Sequence, residues 1–274
     1  MITKIITHNR PHADELVALM LLKKFPQGKE KFPGVTTAEV SFLTTGELPN
    51  GQTAKDFPDT IFLGCGGGDF DEHATSQKER VSNECCTTLV AKYLGISKDP
   101  ALQRILFFVK QEDLSGSKDR DALSVYIKIL HSAYKNDPEG VSRWAIDAYY
   151  AEYLSDKNKI ENGEVVQEIP PTLISAINSF QKNGFDDLEW WNSFLNVAIK
   201  YQDDQYKLAM NEFKNNAKVE RFMANDGMPI DMAVITSDNE EMNKVARSNK
   251  MQLIIQFSTK GNVAIFTYQK RNLN

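Results

Sequence analysis

Cysteine is scarce in this sequence: only Cys65, Cys85 and Cys86 occur among 274 residues. An odd number of cysteines, two of them adjacent, argues against a disulfide framework. Reduced thiols fit the cytoplasm, where such frameworks are rare. A zinc site built on thiolates is also disfavoured, because Cys85 and Cys86 lack the Cys-x₂-Cys spacing and Cys65 stands alone.

Long hydrophobic runs are missing too. No stretch approaches the roughly 18 consecutive apolar residues that a membrane-spanning helix needs, and the N-terminus lacks the pattern of a signal peptide. We therefore expect a cytoplasmic protein without a membrane partner. A strong charge of one sign is also lacking: 37 acidic and 32 basic residues give a net charge of -5. Nothing draws the whole chain to nucleic acid, so a polyanionic substrate would need local basic groups or a metal.

Short apolar runs alternate with amphipathic segments, which is typical of α/β proteins. Strands are predicted over residues 2–7, 40–45, 61–64, 232–236, 252–257 and 263–268. Helices are predicted over residues 13–25, 83–94, 100–110, 120–134, 141–154, 173–181, 187–218 and 239–248. Proline and glycine predict loops at 25–28 and 32–34, and turns at 225–229 and 258–262. The first helix is expected to bury one stripe, formed by Leu16, Leu19, Met20 and Lys23.

The predicted fold is therefore α/β: an N-terminal domain with a parallel sheet and a helical continuation, followed by a smaller α/β C-terminal lobe. A chain of this length fits one large unit or, as we expect, two modest domains. The boundaries are set at 1–180 for a metal-binding α/β domain, 181–225 for a connecting helix and 226–274 for a substrate lobe.

Three potential metal ligands, His8, His12 and Asp14, follow directly after the first apolar run. In a parallel sheet, residues just beyond the carboxyl end of a strand line the crevice where ligands bind. A single histidine there is usually an ordinary loop or core residue, whereas two histidines and an aspartate within seven residues favour a metal. The sequence thus predicts a metal-dependent enzyme.

A second strand runs into a glycine-rich loop that ends in Asp71, Glu72 and His73. Gly66, Gly67 and Gly68 allow close backbone approach, as a phosphate cradle needs, and the alternative is a tight loop for packing. The loop fits neither the dinucleotide fingerprint nor a Walker A motif. Asp113, near the end of an apolar helix, is a further ligand candidate, and its alternative is a solvated helix end. Carboxylates and imidazoles together suit Mn²⁺ or another divalent cation such as Mg²⁺.

These segments resemble the DHH phosphoesterase superfamily, and within it the melanocyte-proliferating-gene branch. The branch opens on Thr-His-Asn-Gly-x-Phe-His-x-Asp-Glu, which this chain matches at Thr7-His8-Asn9, His12 and Asp14-Glu15. A family Gly-Gly loop leads to Asp-His-His, similar to the loop that ends in Asp71-Glu72-His73. Residues 82–95 are similar to the helix that follows in the family, and residues 251–268 to its late β-hairpin.

The resemblance implies a two-metal centre, usually manganese, and hydrolysis of a phosphoester, with exonuclease action on RNA in this branch. It implies that His8 and His12 hold one metal, that Asp14 and Asp113 hold the other, and that His73 contacts metal or phosphate. Asp71, Glu72 and His73 are the catalytic candidates. In the C-terminal lobe, which would grip the substrate, Arg247 is the candidate for phosphate. The expected partners are a phosphorylated small molecule or an oligonucleotide. Pairing with a second copy of the chain, as a homodimer, is left open.

Two positions that would take part in the family's metal site differ from the family pattern. The family's Asp-x-Gly-Gly carries a carboxylate that bridges both metals, whereas this chain has Gly64 at that position. Glu72 takes the place of the first histidine of Asp-His-His. Without a shared anion two cations repel each other more strongly. The alternative function is therefore a catalytically degenerate relative that binds a nucleotide or a protein partner without hydrolysis.

Overall fold

The computed structural model describes residues 1–43, 48, 52–73, 79, 81–116, 119, 121–223 and 227–267. Contacts between Cα atoms divide the chain into two compact units, Met1–Ala198 and Ile199–Asn274. The fold is mixed α/β, as predicted, with a parallel three-stranded sheet in the first unit and a mixed four-stranded sheet in the second. The boundary after Ala198 falls inside the long helix for which the sequence predicts a connecting role.

The sheet of the first unit consists of β1 (Lys4–His8), β2 (Glu39–Leu43) and β3 (Thr60–Phe62). β1 lies in the middle and pairs in parallel with both neighbours. Because all three strands run the same way, the segments after His8 and Phe62 leave from the same edge of the sheet. This edge carries the candidate site.

In the part of the chain that the structure describes, eight α-helices belong to the first unit or begin in it. They are α1 (Ala13–Lys24), α2 (Pro26–Lys31), α3 (Cys86–Leu94), α4 (Gln103–Ser115), α5 (Leu123–Ala133), α6 (Pro138–Glu161), α7 (Leu173–Lys182) and α8 (Leu188–Asn216). α1 packs against α3 and α6. Among the described residues, no helix has an apolar stretch long enough to cross a membrane.

The prediction of one buried stripe on α1 is wrong. Every residue from Leu16 to Leu22 is at most 1% exposed. A helix that is apolar on all sides is buried on all sides, and α1 is accordingly the central helix of this unit. Its last turn leaves the core, where Lys23 donates from Nζ to the Ala38 carbonyl oxygen at 2.9 Å.

Two other elements also differ from the prediction. The segment predicted as a loop at residues 25–28 belongs largely to α2, because a proline at the first position of a helix needs no hydrogen-bond partner for its nitrogen. The long helix ends at Asn216, and Lys218–Met223 forms a strand, β4, through pairing with a later segment. Other predicted elements include residues that lie outside the described ones: Thr44, Thr45, Arg120, Asn225, Asp226 and Tyr268.

The second unit contains β4, β5 (Pro229–Thr236), α9 (Met242–Ser248), β6 (Leu253–Phe257) and β7 (Val263–Thr267), and the strands follow one another in the sheet. β5 and β6 are parallel and the outer pairs are antiparallel. The predicted hairpin turn forms, with the Ser258 amide donating to the Asn262 carbonyl at 2.8 Å. The core of this unit is built by Ala209, Phe213, Ala233, Ile235, Met242, Val245, Ala246 and Ile254.

Candidate metal centre

Three chain segments of the first unit meet at the carboxyl edge of its sheet. The first runs from the end of β1 into α1, the second is the loop after β3, and the third is the last turn of α4. Together they line a cavity of about 470 Å³ formed by His8, Asn9, Arg10, His12, Glu15, Leu43, His73 and Asp113. A cavity of about 220 Å³ shares His12 and Asp113 with it and is also lined by Asp14, Glu112 and Lys128.

Asp14 is held by the N-terminus of α3. Its two carboxylate oxygens accept from the amides of Cys86, at 2.7 Å, and Thr87, at 2.8 Å. The Thr87 hydroxyl also donates to the Asp14 carbonyl oxygen. The first amides of a helix have no partner within the helix, so they favour a negative charge. Asp14 is therefore buried with its carboxylate in a defined orientation.

Glu72 is buried without such support. Its side chain is fully inaccessible, and neither carboxylate oxygen accepts a hydrogen bond from the residues that the structure describes. The shortest recorded contact is with His73, whose Nδ1 lies 3.5 Å from Glu72 Oε1. The charged form of a buried carboxylate without hydrogen bonds is costly unless it meets a cation.

Glu72 belongs to two groups of ligand-type atoms. One oxygen each from Asp14, Glu72 and Asp113 lie within 4.8 Å of one another, and so do ligand atoms of Asp71, Glu72 and His73. This arrangement fits a hard divalent cation, which takes carboxylate oxygen and imidazole nitrogen. The donor set and the unsatisfied carboxylate thus agree with the predicted metal.

Negative charge is concentrated around this group. Burial raises the pKa values of Asp14, Glu15 and Glu72 to about 7, and neighbouring carboxylates add to the effect in each case. A positive ion among these groups would lower all three pKa values again.

Asp71 organises the glycine-rich loop and His73. One of its oxygens accepts from the Gly67 amide at 2.8 Å, and the other lies 3.0 Å from His73 Nδ1. Burial raises the pKa of Asp71, but hydrogen bonds from His73 and Gly67 outweigh it and hold that pKa below its usual value. With Nδ1 occupied, His73 presents Nε2 for other contacts.

Backbone conformation and close packing explain why this loop contains glycines. Gly64, Gly66 and Gly67 have φ values of 63°, 74° and 69°, which side chains rarely adopt. A Cβ at Gly66 would lie 2.7 Å from a ring carbon of Phe62. A tight loop formed for packing accounts for the positive φ values and for the close approach of Gly66 to Phe62. The Gly67 amide donates to Asp71. The role of a phosphate cradle for Gly66, Gly67 and Gly68 stays a prediction.

The predicted ligands are brought together to different degrees. Asp14 and Asp113 share one group with Glu72, whereas His8 and His12 fall outside both groups that the described residues form. His8 Nε2 lies 3.7 Å from Glu15 Oε1, and His12 is exposed at the cavity wall. Arg247 is exposed near the end of α9 in the second unit. Its predicted role in holding phosphate stays a prediction.

Arg10 and Glu15 are charged residues of this cavity for which the sequence predicts no site role. Arg10 had a signal, since it is the one basic residue in the loop between His8 and His12. The sequence signal for Glu15 is weak, because Glu15 follows Asp14 directly and neighbouring helical residues usually point to different sides. His131 lies behind this loop with Nε2 at 2.9 Å from the Pro11 carbonyl oxygen. Burial lowers the pKa of His131 to about 4, so a neutral imidazole donates to the loop.

No protein-family model and no curated protein matches this chain. Membership of the DHH superfamily therefore stays a prediction, which rests on the motif from Thr7 to Glu15 and on the glycine-rich loop. The geometry at the edge of the sheet is independent of that resemblance.

Proposed function

We propose that this protein is a divalent-metal-dependent phosphohydrolase that cleaves a phosphoester, with Mn²⁺ or Mg²⁺ held by Asp14, Glu72 and Asp113. One observation carries the proposal: Glu72 is fully buried without a hydrogen bond from the described residues, and it faces two further carboxylates. The free energy cost of such a group is offset most directly by a cation. The predicted membership of the DHH superfamily supports the same activity.

The metal residues and the basic residues of the cavity have separate tasks. A bound divalent cation supplies charge neutralisation at phosphoryl oxygens and activation of water. Arg10, on the cavity wall, binds the remaining phosphate oxygens, since a guanidinium forms paired hydrogen bonds with phosphate. His73, oriented by Asp71, holds a proton at Nε2 that it gives to the leaving oxygen.

The size of the cavity supports a small phosphorylated substrate or the end of an oligonucleotide. About 470 Å³ lies within the usual range for sites that bind small molecules. The net charge of -5 supports recognition of one phosphate group at a time over binding along a nucleic acid backbone. An RNA end remains the substrate that the family resemblance favours.

A degenerate relative that binds without hydrolysis is the second candidate. The observation that favours it is Gly64, which offers no carboxylate where the family has a bridging one. Such a protein would bind a nucleotide or a protein partner with an affinity that a chelator leaves unchanged.

Hydrolysis by the full chain tests the proposal. The purified protein is assayed with Mn²⁺ against bis(p-nitrophenyl) phosphate and against a short end-labelled RNA. Glu72→Gln keeps the size of the side chain and removes its charge, so we expect kcat/KM to fall roughly 100-fold or more. Glu164→Gln, the same substitution at an exposed position of this unit, is expected to match the wild type.

Full activity in Glu72→Gln, or turnover that persists in EDTA, would contradict the proposed site. Little Mn²⁺ uptake together with no turnover of either substrate would favour the non-hydrolytic candidate.

A further inference from the structure

The side chain of Glu15 fills the space beside Gly64. A Cβ placed on Gly64 would lie 2.7 Å from Glu15 Oε1 and 3.0 Å from Glu15 Cγ. Glu15 itself is only 3% exposed. The volume into which a side chain at position 64 would project is therefore already occupied by a carboxylate that comes from α1.

This carboxylate stands between the two halves of the candidate site. Its Oε1 lies 3.7 Å from Nε2 of His8, on the histidine side. The charges of Glu72 and Asp113, on the carboxylate side, act on Glu15. Glu15 lines the same cavity as His8 and Asp113.

The fully ionised form of the cluster carries more negative charge than one divalent cation neutralises. Asp14, Glu15, Glu72 and Asp113 lie within electrostatic reach of one another and carry four negative charges when ionised. Asp71 is left out of this sum because its partner is His73. Two divalent cations would balance four carboxylates, and the buried Glu72 without a hydrogen bond from described residues independently points to a cation.

We propose that Glu15 is a metal ligand that joins His8 to the carboxylate group of Asp14, Glu72 and Asp113, so that the site holds two divalent cations although position 64 is glycine. The inference rests on the proposed metal-dependent function and assigns the carboxylate that Gly64 cannot provide.

Glu15 also has a simpler role, which the test must separate from metal binding. Its Oε2 accepts from the His12 amide at 2.7 Å, which caps the first turn of α1. Glu15→Gln keeps an oxygen acceptor for that amide and removes the charge. A capping role predicts little change in this variant, whereas a ligand role predicts loss of metal.

Metal stoichiometry measures the difference without reference to activity. Mn²⁺ is titrated into the full chain, and the bound ions are counted by electron paramagnetic resonance and by calorimetry. We expect two Mn²⁺ in the wild type and in Glu164→Gln, and one Mn²⁺, or binding of the second weakened at least tenfold, in Glu15→Gln.

A second variant moves the carboxylate to position 64. Glu15→Ala clears the space, and Gly64→Asp fills it from the loop, where aspartate tolerates a φ near 63° better than most residues. The double variant is expected to regain the second Mn²⁺ that Glu15→Ala alone loses. Gly64→Asp alone is expected to bind Mn²⁺ more weakly, because its side chain meets Glu15.

The outcomes distinguish this inference from the proposed function. A wild-type chain that binds no Mn²⁺ would overturn both. Two Mn²⁺ bound with unchanged affinity in a folded Glu15→Gln variant would overturn only the role of Glu15. If Glu15→Gln does not fold, the double variant decides: a folded double variant with one Mn²⁺ overturns the inference, and one with two supports it.

Discussion

At the scale of single residues, Asp14 and Glu72 are both buried carboxylates in opposite surroundings. Asp14 accepts from two backbone amides at the start of α3, so the protein itself stabilises its charge. Glu72 accepts no hydrogen bond within the described part of the chain. Asp14 is positioned by the fold, whereas the charge of Glu72 has no stabilising partner of this kind and would be stabilised by a bound cation. This difference is why Glu72 is the more informative position for substitution.

Arg10 gives a prediction about substrate binding. Arg10→Ala removes the guanidinium from the cavity wall, and a charge-assisted hydrogen bond to phosphate is worth about 1.5–3 kcal/mol. We expect KM for a phosphodiester to rise roughly 10- to 100-fold, while the number of bound Mn²⁺ stays unchanged. Steady-state kinetics together with a Mn²⁺ titration measure both quantities.

Arg10→Lys is the matched variant for this prediction. It keeps the positive charge but loses the planar pair of donors, so an intermediate KM is expected. Equal KM values in the wild type and Arg10→Ala would show that the phosphate is bound elsewhere.

At the scale of elements, α4 carries Asp113 and is fixed to α6 by a buried ion cluster. Arg104, 7% exposed, contacts Glu152 Oε2 at 2.5 Å and Asp156 Oδ2 at 2.7 Å. Both acidic partners lie on α6, and Ser179 on α7 also donates to Glu152. Three helices are thereby joined around one guanidinium, eleven residues or about three turns before the end of α4.

Removing this guanidinium is expected to destabilise the first unit strongly. Among the residues that the structure describes, Arg104→Leu leaves Glu152 without a cationic partner and Asp156 with only Lys159, at 3.4 Å, and breaking such a buried pair costs about 3–5 kcal/mol. Chemical denaturation monitored by circular dichroism gives the free energy of unfolding. Lys157→Leu is the control. It removes an exposed ion pair between Lys157 and Glu161, both on α6, and should cost less than about 0.5 kcal/mol. Similar losses in both variants would contradict a central role for Arg104.

At the scale of the whole molecule, the buried carboxylates couple stability to pH and to metal. Burial raises the pKa of Glu72 from 4.5 to about 7, so between these values the folded protein holds a proton that the unfolded chain has released. The stability that this proton provides is fully present below about pH 4.5 and is lost as the pH rises through 7. His131 acts in the opposite direction, since its lowered pKa costs stability as the pH falls from 6.5 towards 4.

Comparison of Glu72→Gln with the wild type isolates the contribution of Glu72, because His131 is common to both. In EDTA, we expect the variant to gain roughly 1–3 kcal/mol of unfolding free energy relative to the wild type between pH 5 and pH 8. With Mn²⁺ the order is expected to reverse, since the ion stabilises only the protein that binds it. Thermal unfolding across this pH range measures the difference, and a difference that is flat with pH and unchanged by Mn²⁺ would contradict the prediction.

Much of the fold could be predicted because its signals are local. The apolar runs before His8 and before the glycine-rich loop predict parallel strands, and both form. Strand β4 could not be found in this way, because Lys218–Met223 becomes a strand only through its pairing with β5. The full burial of α1 depends likewise on α3 and α6, which pack on it from distant parts of the sequence.

The sequence by itself determined the α/β class and the presence of ligand-type residues after two strands, since periodicity and residue chemistry act over a few neighbours. Tertiary structure alone decided how those ligands combine. It placed Glu72 beside Asp14 and Asp113, bound Asp14 to the start of α3, and put Glu15 in the space beside Gly64. These distances depend on how parallel strands and helices far apart in the sequence pack together, and no pattern of neighbouring residues encodes that packing.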